Sequence, residues 1–353
     1  MSRHNPYRFV GEIVTGDAFV GRSAQVRTVR SCWQSGGSPS NLSVQGSHRM
    51  GKSSFVMRAV ELDRGARPEL IFVRISVGDH QSGDDVLRAI VKRAGALYNS
   101  LPPELTSARF DVSAAAKEVA TSSDWYGLEG AIKDFFAAVA RSNVCIALIL
   151  DEFDRAAVTF TNRSHFQVLR TLASESNYAT GLITISRRPV DVIEKDAVGG
   201  STLDGVLSLR CYAECFGDPE IDALLGLARW VDMDLRPARD AMVELAGGHP
   251  YLLGLLCREL VGAAMAEAPL VVAAAYLDLE NQFHGQFKSM WKALDAATEN
   301  RAADLLALIL RDRQNAVRPT DLTSMRRLGI LSMRGDNQFF SNTFRGYVAQ
   351  ELG

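Results

Sequence analysis

Eight consecutive residues, Gly46-Ser47-His48-Arg49-Met50-Gly51-Lys52-Ser53, fit the pattern G-x-x-x-x-G-K-[ST] at every fixed position. The chemistry of that pattern is anion binding. Its glycines let the backbone curl so that successive N–H groups face a phosphate, and a helix starting at the loop adds its positive end. Lys52 can then reach the β- and γ-phosphates, and the Ser53 hydroxyl is an oxygen ligand for Mg²⁺. Gly46, Ser47, His48, Arg49, Met50, Gly51, Lys52 and Ser53, with Ser54, form the candidate nucleotide-binding set. The His48 side chain reads as a solvent-facing spacer rather than a catalytic base.

About 100 residues later the apolar run Val144-Cys145-Ile146-Ala147-Leu148-Ile149-Leu150 ends at Asp151-Glu152-Phe153-Asp154. A buried strand delivering two acids is what phosphoryl transfer to water needs. Asp151 is the candidate Mg²⁺ ligand with Ser53, and Glu152 the candidate for polarising the attacking water. Asp154 reads as a helix cap or a surface ion pair. A further buried run, 181–186, closes at Ser186-Arg187-Arg188. A cation there can sense a γ-phosphate; Arg187 is the choice, Ser186 and Arg188 stay open, and either arginine can instead pair with the acidic strand end. His249 lies in Gly247-Gly248-His249-Pro250. That turn can abut the base or ribose of a nucleotide, or simply start a helix with proline in its first turn. His4, His80, His165 and His284 show no metal-ligand spacing.

These groups must be held by strands and helices. Residues 41–45 are β-prone and precede the loop; 54–62 place Phe55, Val56, Ala59, Val60 and Leu62 at helical spacing after it. Strands are expected at 70–77, 144–150, 181–186 and 206–209. Helices are expected at 23–34, 84–98, 125–140 and 164–176. This alternation predicts an α/β core with a parallel sheet and ligands at the carboxyl ends of its strands. Residues 102–123 read as a partly mobile insertion or a substrate- or partner-contacting loop. Past residue 216 the pattern turns helical, at 218–231, 236–246, 251–264 and 270–294. The segment 298–353 predicts a helix to 310, one at 320–328, a hairpin around Gly335-Asp336-Asn337 and a closing helix at 344–352, the order of a winged helix. The expected division is a nucleotide-binding domain at 1–215, a helical lid at 216–297 and a winged helix at 298–353.

Bulk properties narrow the class. The 353 residues are 47% hydrophobic and 23% charged, with formal net charge -2. Nothing global points to nucleic acid or an anionic membrane. No apolar run approaches the roughly 20 residues of a membrane span, and the N-terminus lacks the apolar core of a signal peptide. Five cysteines make an odd set for a disulfide framework, and Cys211 and Cys215 have no second pair to complete a zinc site. The expectation is a reduced, cytoplasmic protein.

Several stretches together resemble one family. Asn5-Pro6-Tyr7-Arg8-Phe9, Thr15-Gly16-Asp17-Ala18-Phe19-Val20-Gly21-Arg22, Arg49-Met50-Gly51-Lys52-Ser53, Asp151-Glu152-Phe153-Asp154, Ser186-Arg187-Arg188 and Gly247-Gly248-His249-Pro250-Tyr251-Leu252-Leu253 resemble, in order, the archaeal ATPase family. That family belongs to the AAA+/STAND group of P-loop NTPases, close to the Orc/Cdc6-like ATPases, and also occurs in bacteria. The resemblance implies an AAA+-like core, a helical lid and a C-terminal winged helix. It implies that Phe19, Val20, Gly21 and Arg22 contact the adenine region, and that His249 and Pro250 close over ATP or ADP from the lid. It further implies a Mg²⁺-dependent, slowly hydrolysing switch that self-associates or engages a separate sensor or effector protein in a signalling or defence-like system. The alternative is a DNA-binding Orc-like or transposition-helper ATPase. The arginines at 301, 311, 313, 318, 326, 327, 334 and 345 are interleaved with acids and accompanied by no lysine after residue 297, a mildly basic surface rather than a nucleic-acid footprint.

Overall fold

The computed structural model describes residues 4–332 and 336–353. The chain divides into two compact units. One comprises Ala24–Gln45 and Ala59–Cys211 and contains the sheet; the other comprises Met1–Ser23, Gly46–Arg58 and Tyr212–Gly353.

In the sheet unit the strands are β1 (Leu42–Gln45), β2 (Leu70–Ser76), β3 (Cys145–Asp151), β4 (Thr180–Ser186) and β5 (Leu209–Tyr212), in the spatial order β2-β3-β4-β1-β5. The β1–β4, β2–β3 and β3–β4 pairings are parallel. Every residue of β3 and β4 is buried, whereas β2 at one edge alternates. A strand covered by helices on both faces must be apolar throughout, and Cys145 to Leu150 is. Ile71, Val73 and Ile75 of β2 and Ile146, Leu148 and Leu150 of β3 pack into one core with Phe135 and Phe136 of the helix Trp125–Arg141 and Ile90 of the helix Gly83–Asn99. The helix Lys52–Asp63 ends in this unit, where the Asp63 carboxylate accepts from Arg30 Nη2 at 2.7 Å and from Trp33 Nε1 at 2.7 Å. The Arg30 hydrogen bonds hold that carboxyl below its usual range.

Three expectations are corrected here. Residues 102–123 are not an irregular insertion: after a 3-10 turn they form the helix Arg109–Thr121, which buries Val112, Ala115 and Val119. Its alanines pack without giving a sharp apolar–polar contrast, so the period was faint. The fifth strand lies at Leu209–Tyr212, while Asp204–Val206 is a 3-10 turn; Leu209 and Arg210 are exposed at this edge. The segment 218–231 is a helix only over Asp218–Gly226 and continues as 3-10 over Leu227–Val231.

The second unit is helical: Asp218–Gly226, Arg239–Ala246, Pro250–Met265, Val272–Ala297, Ala302–Leu310, Pro319–Arg327 and Asn342–Leu352. Ring contacts of 5.2 to 6.2 Å join Phe287 to Phe344 and Phe340, so aromatic packing anchors the last segment. The expected hairpin is, among the described residues, an antiparallel bridge between Leu331 and Phe339; Met333, Arg334 and Gly335 lie outside them. Two helices, the bridge and a closing helix keep the element order of a winged helix.

Candidate functional site

The loop from Gly46 leads into the helix that begins at Lys52, and Gly51 has φ +80°, a left-handed turn that favours glycine. The Lys52 ammonium donates to the carbonyls of Gly46 and Ser47, both at 2.8 Å. The amine therefore sits over the curl, where phosphate oxygens would compete for it.

Each of the four variable positions of the loop is tied to a segment outside it. Ser47 Oγ donates to the Leu328 carbonyl at 2.6 Å. The His48 carbonyl accepts from Gln286 Nε2 at 3.1 Å, while its side chain is exposed, as expected of a spacer. The Arg49 guanidinium lies 4.0 Å from the centroid of the Tyr251 ring. The Met50 carbonyl accepts from Arg22 at 3.1 Å, and the buried Met50 side chain packs against Gly329.

Arg22 is 3% exposed. Besides Met50 it donates to the Glu214 carbonyl and stacks on Phe216, and its own N–H donates to Glu220 at 2.7 Å. Glu220 also accepts from Gly217 at the start of its helix. Arg22 thus braces the loop, and Glu220 braces Arg22. Phe19 and Val20 are half-buried just before it, and the Val14 N–H donates to Ser54 Oγ at 3.0 Å. His249 is fully buried before Pro250, the first residue of the helix Pro250–Met265. Its Nε2 lies 3.1 Å from Gln286 Nε2, and burial holds its pKa down at about 3.

The sheet unit collects the other candidates. Ser76 is in register with Asp151, Leu150 with Thr184 and Gln45 with Ser186, so four strands end at one edge. Asp151 is 4% exposed; its Oδ2 accepts from Arg74 Nη2 at 2.6 Å and its Oδ1 from the Glu152 N–H at 2.9 Å. Glu152 has φ +52°, a strained setting for a non-glycine residue, and its Oε2 accepts from Ser76 Oγ at 3.1 Å. A Cβ on Gly78 would come within 2.2 Å of that same oxygen. Asp154 is no mere cap: its carboxylate accepts from the N–H groups of Arg187 at 2.7 Å and Arg188 at 3.2 Å, and lies 3.5 Å from both side chains. It joins the end of β3 to the end of β4. Arg188 also pairs with Asp196 at 2.5 Å, and Ser186 Oγ donates to the Arg188 carbonyl. The Arg187 side chain, half-exposed, is the more available of the candidate sensors.

The expected site residues therefore fall into two sets. Phe19 to Arg22, Gly46 to Ser54, His249 and Pro250 belong to one unit; Asp151, Glu152 and Arg187 belong to the other. Arg74, Ser76, Glu220 and Gln286 escaped the sequence reading, while Asp154 makes the ion pair expected of it, with Arg187 and Arg188. Gln286 alone left a usable sign, as the polar member of the buried stripe Ala275, Leu279, Phe283, Gln286, Phe287, Met290, Leu294. Four arginines of the C-terminal segment are committed internally: Arg301 and Arg318 to Asp321, Arg326 to Asn337, and Arg327 over the Tyr212 ring at 4.1 Å. The five cysteines are buried, and burial lifts the Cys32 and Cys215 thiols to about 12. Among the described residues no helix is long and apolar enough to cross a membrane.

No protein-family model and no curated protein matches the sequence. Solved structures do. A Walker-type ATPase of Pyrococcus abyssi aligns over 94% of this chain and 97% of its own, with TM-score 0.57 and 13% identity. The ORC2 protein of Aeropyrum pernix, solved as ADPNP–ADP complexes, aligns over 95% and 97%, with TM-score 0.53 and 12% identity. Cdc6p of Pyrobaculum aerophilum aligns over 96% and 98%, with TM-score 0.51 and 11% identity. At such identities the likeness is one of fold: this chain has the α/β P-loop NTPase fold shared by archaeal Orc/Cdc6-like and Walker-type ATPases.

Proposed function

We propose that the chain is an ATP-binding and ATP-hydrolysing molecular switch that self-associates or engages a partner protein according to the bound nucleotide. The observation that carries this reading is the formed phosphate loop, with the Lys52 amine held at 2.8 Å on two of its carbonyls at the start of a helix. Lys52 exchanges those carbonyls for phosphate oxygens, and the loop N–H groups with the helix end take the remaining charge. Phe19 to Arg22 and the His249-Pro250 turn serve the base side, with Arg22 acting through Met50.

The donors suit Mg²⁺. In one unit the Ser53 hydroxyl, and in the other the nearly buried Asp151 carboxylate, which accepts from Arg74, are each hard oxygen donors of the kind Mg²⁺ takes. The chemistry such an ion would supply is neutralisation of charge on the phosphate oxygens. Glu152, oriented by Ser76, takes the proton of the attacking water as that oxygen bonds the γ-phosphorus and the bond to the ADP oxygen breaks. Arg187, fixed by Asp154, reads whether a γ-phosphate is present.

The test is the mass of the purified protein with ADP, with ATP and Mg²⁺, and as Glu152→Gln with ATP. Assembly or partner capture by the Gln variant with ATP is expected. Failure of the wild type to bind either nucleotide refutes the reading.

A further inference from the structure

Gln286 is 4% exposed within an otherwise apolar stripe. A buried amide there is unfavourable unless its hydrogens are used. Both are: one goes to the His48 carbonyl and one to His249 Nε2, each at 3.1 Å. A carbonyl can only accept, so the amide nitrogen faces the loop. His249 Nε2 is then the unprotonated ring nitrogen and its proton sits on Nδ1, which has no hydrogen-bond partner among the described residues. The histidine stays neutral and accepts.

The consequence for the loop follows from the trans peptide. The C=O of His48 and the N–H of Arg49 share one plane and point in opposite directions. Anchoring that carbonyl on Gln286 turns the Arg49 N–H away from the helix Val272–Ala297. Arg49 has φ +60°, so the peptide occupies a conformation that side-chain-bearing residues resist and that an external hydrogen bond must hold. We infer that Gln286 is a positioning residue for the phosphate loop: it sets the peptide that presents the Arg49 N–H to a nucleotide phosphate, and through His249 links that peptide to the Gly247-Gly248-His249-Pro250 turn. Linkage is reciprocal, so a nucleotide that orders the loop also orders the turn.

This inference rests on the nucleotide-binding reading, and the experiment separates the two. Gln286→Met keeps the length and volume of the side chain and removes both donors. Affinity for a fluorescent ADP analogue is measured for the wild type, Gln286→Met and Lys52→Ala, with amide hydrogen exchange at residues 46–52 and 272–297. Gln286→Met is expected to raise Kd about five- to thirtyfold, the scale of one buried hydrogen bond. It is also expected to leave residues 46–52 exchanging faster than in the wild type at saturating ADP. A Kd within twofold of the wild type, with faster exchange confined to 272–297, reduces Gln286 to packing and overturns the inference. A wild type that binds no more ADP than Lys52→Ala removes the nucleotide reading itself, and this one with it. Should Gln286→Met not fold, wild-type exchange decides: ADP must slow 46–52, 247–253 and 283–290 together, and protection confined to the loop overturns the coupling.

Discussion

His249 makes the acid stability of the helical unit a quantitative test. Its ring is fully buried, its Nε2 accepts from Gln286, and burial, with the nearby Arg22 charge second, depresses its pKa to about 3. In an unfolded chain a histidine titrates near 6.5. Between those values the unfolded state binds a proton that the folded state refuses, so stability rises with pH across the window and is lost as pH falls below about 6.5. From pH 7.5 to 5.0 the loss is about 2 kcal/mol, at about 1.4 kcal/mol per unit once the unfolded histidine is mostly protonated. The carboxyls of Asp63 and Asp321 are held low as well, there because arginines favour the charged form, so their pH dependence has the same sign but a different window. Their stabilisation is lost only as pH falls below the ordinary carboxylate value near 4, beneath this window. Urea unfolding at the two pH values, on the transition that exposes His249, reads the effect directly. His249→Gln should be less stable at pH 7.5 because it unpacks the site, yet lose about 2 kcal/mol less on going to pH 5.0. Equal pH dependence in the two proteins would refute the buried, neutral assignment.

Ser76→Ala removes the hydroxyl that holds Glu152, and Gly78→Ala pushes a Cβ at the same carboxylate oxygen; steady-state ATPase assays should show kcat reduced about tenfold with KM changed little, a part of the 10²–10⁴ ascribed to a general base. Asp154→Asn keeps one acceptor but loses the charge between Arg187 and Arg188. Thermal unfolding should show a loss of about 1–2 kcal/mol, and the preference for ATP over ADP should narrow in competition binding. Duplex DNA titrated at low salt should show no salt-steep binding, because Arg301, Arg318, Arg326 and Arg327 already have partners within the chain.

What could be read from the sequence was what is covalently local. The loop is a run of eight residues whose spacing is its mechanism, and β3 is legible because a strand buried on both faces must be apolar from Cys145 to Leu150. The helix Arg109–Thr121 was hidden because alanine packs without announcing a face. Arg74 was illegible for another reason: it acts across strands, on Asp151 from β2, and no periodicity encodes a register; for Asp154 an ion pair was readable, but not that its carboxylate also takes the backbone N–H groups that end β4. Gln286 lies 238 residues from His48. Only its polarity inside an apolar stripe marked it, and that mark does not say what it bonds.

The anchoring of the loop bears on how a nucleotide can act. Ser47, His48, Arg49 and Met50 are each held by a different segment of the helical unit, through Leu328, Gln286, Tyr251 and Arg22. Motif reasoning treats these positions as spacers; here they are where loop geometry and helix positions constrain each other. Such a loop resists rearrangement, since shifting it breaks several contacts at once. A ligand that binds only one state contributes about 2.7 kcal/mol at a hundred times its Kd. Reversing a population from 1:99 to 99:1 takes about 5.5 kcal/mol. Nucleotide at that concentration therefore cannot drive a full reversal from a strongly closed state. Under the proposed switch, a second binding event, from another copy of the chain or a partner protein, would supply the remainder.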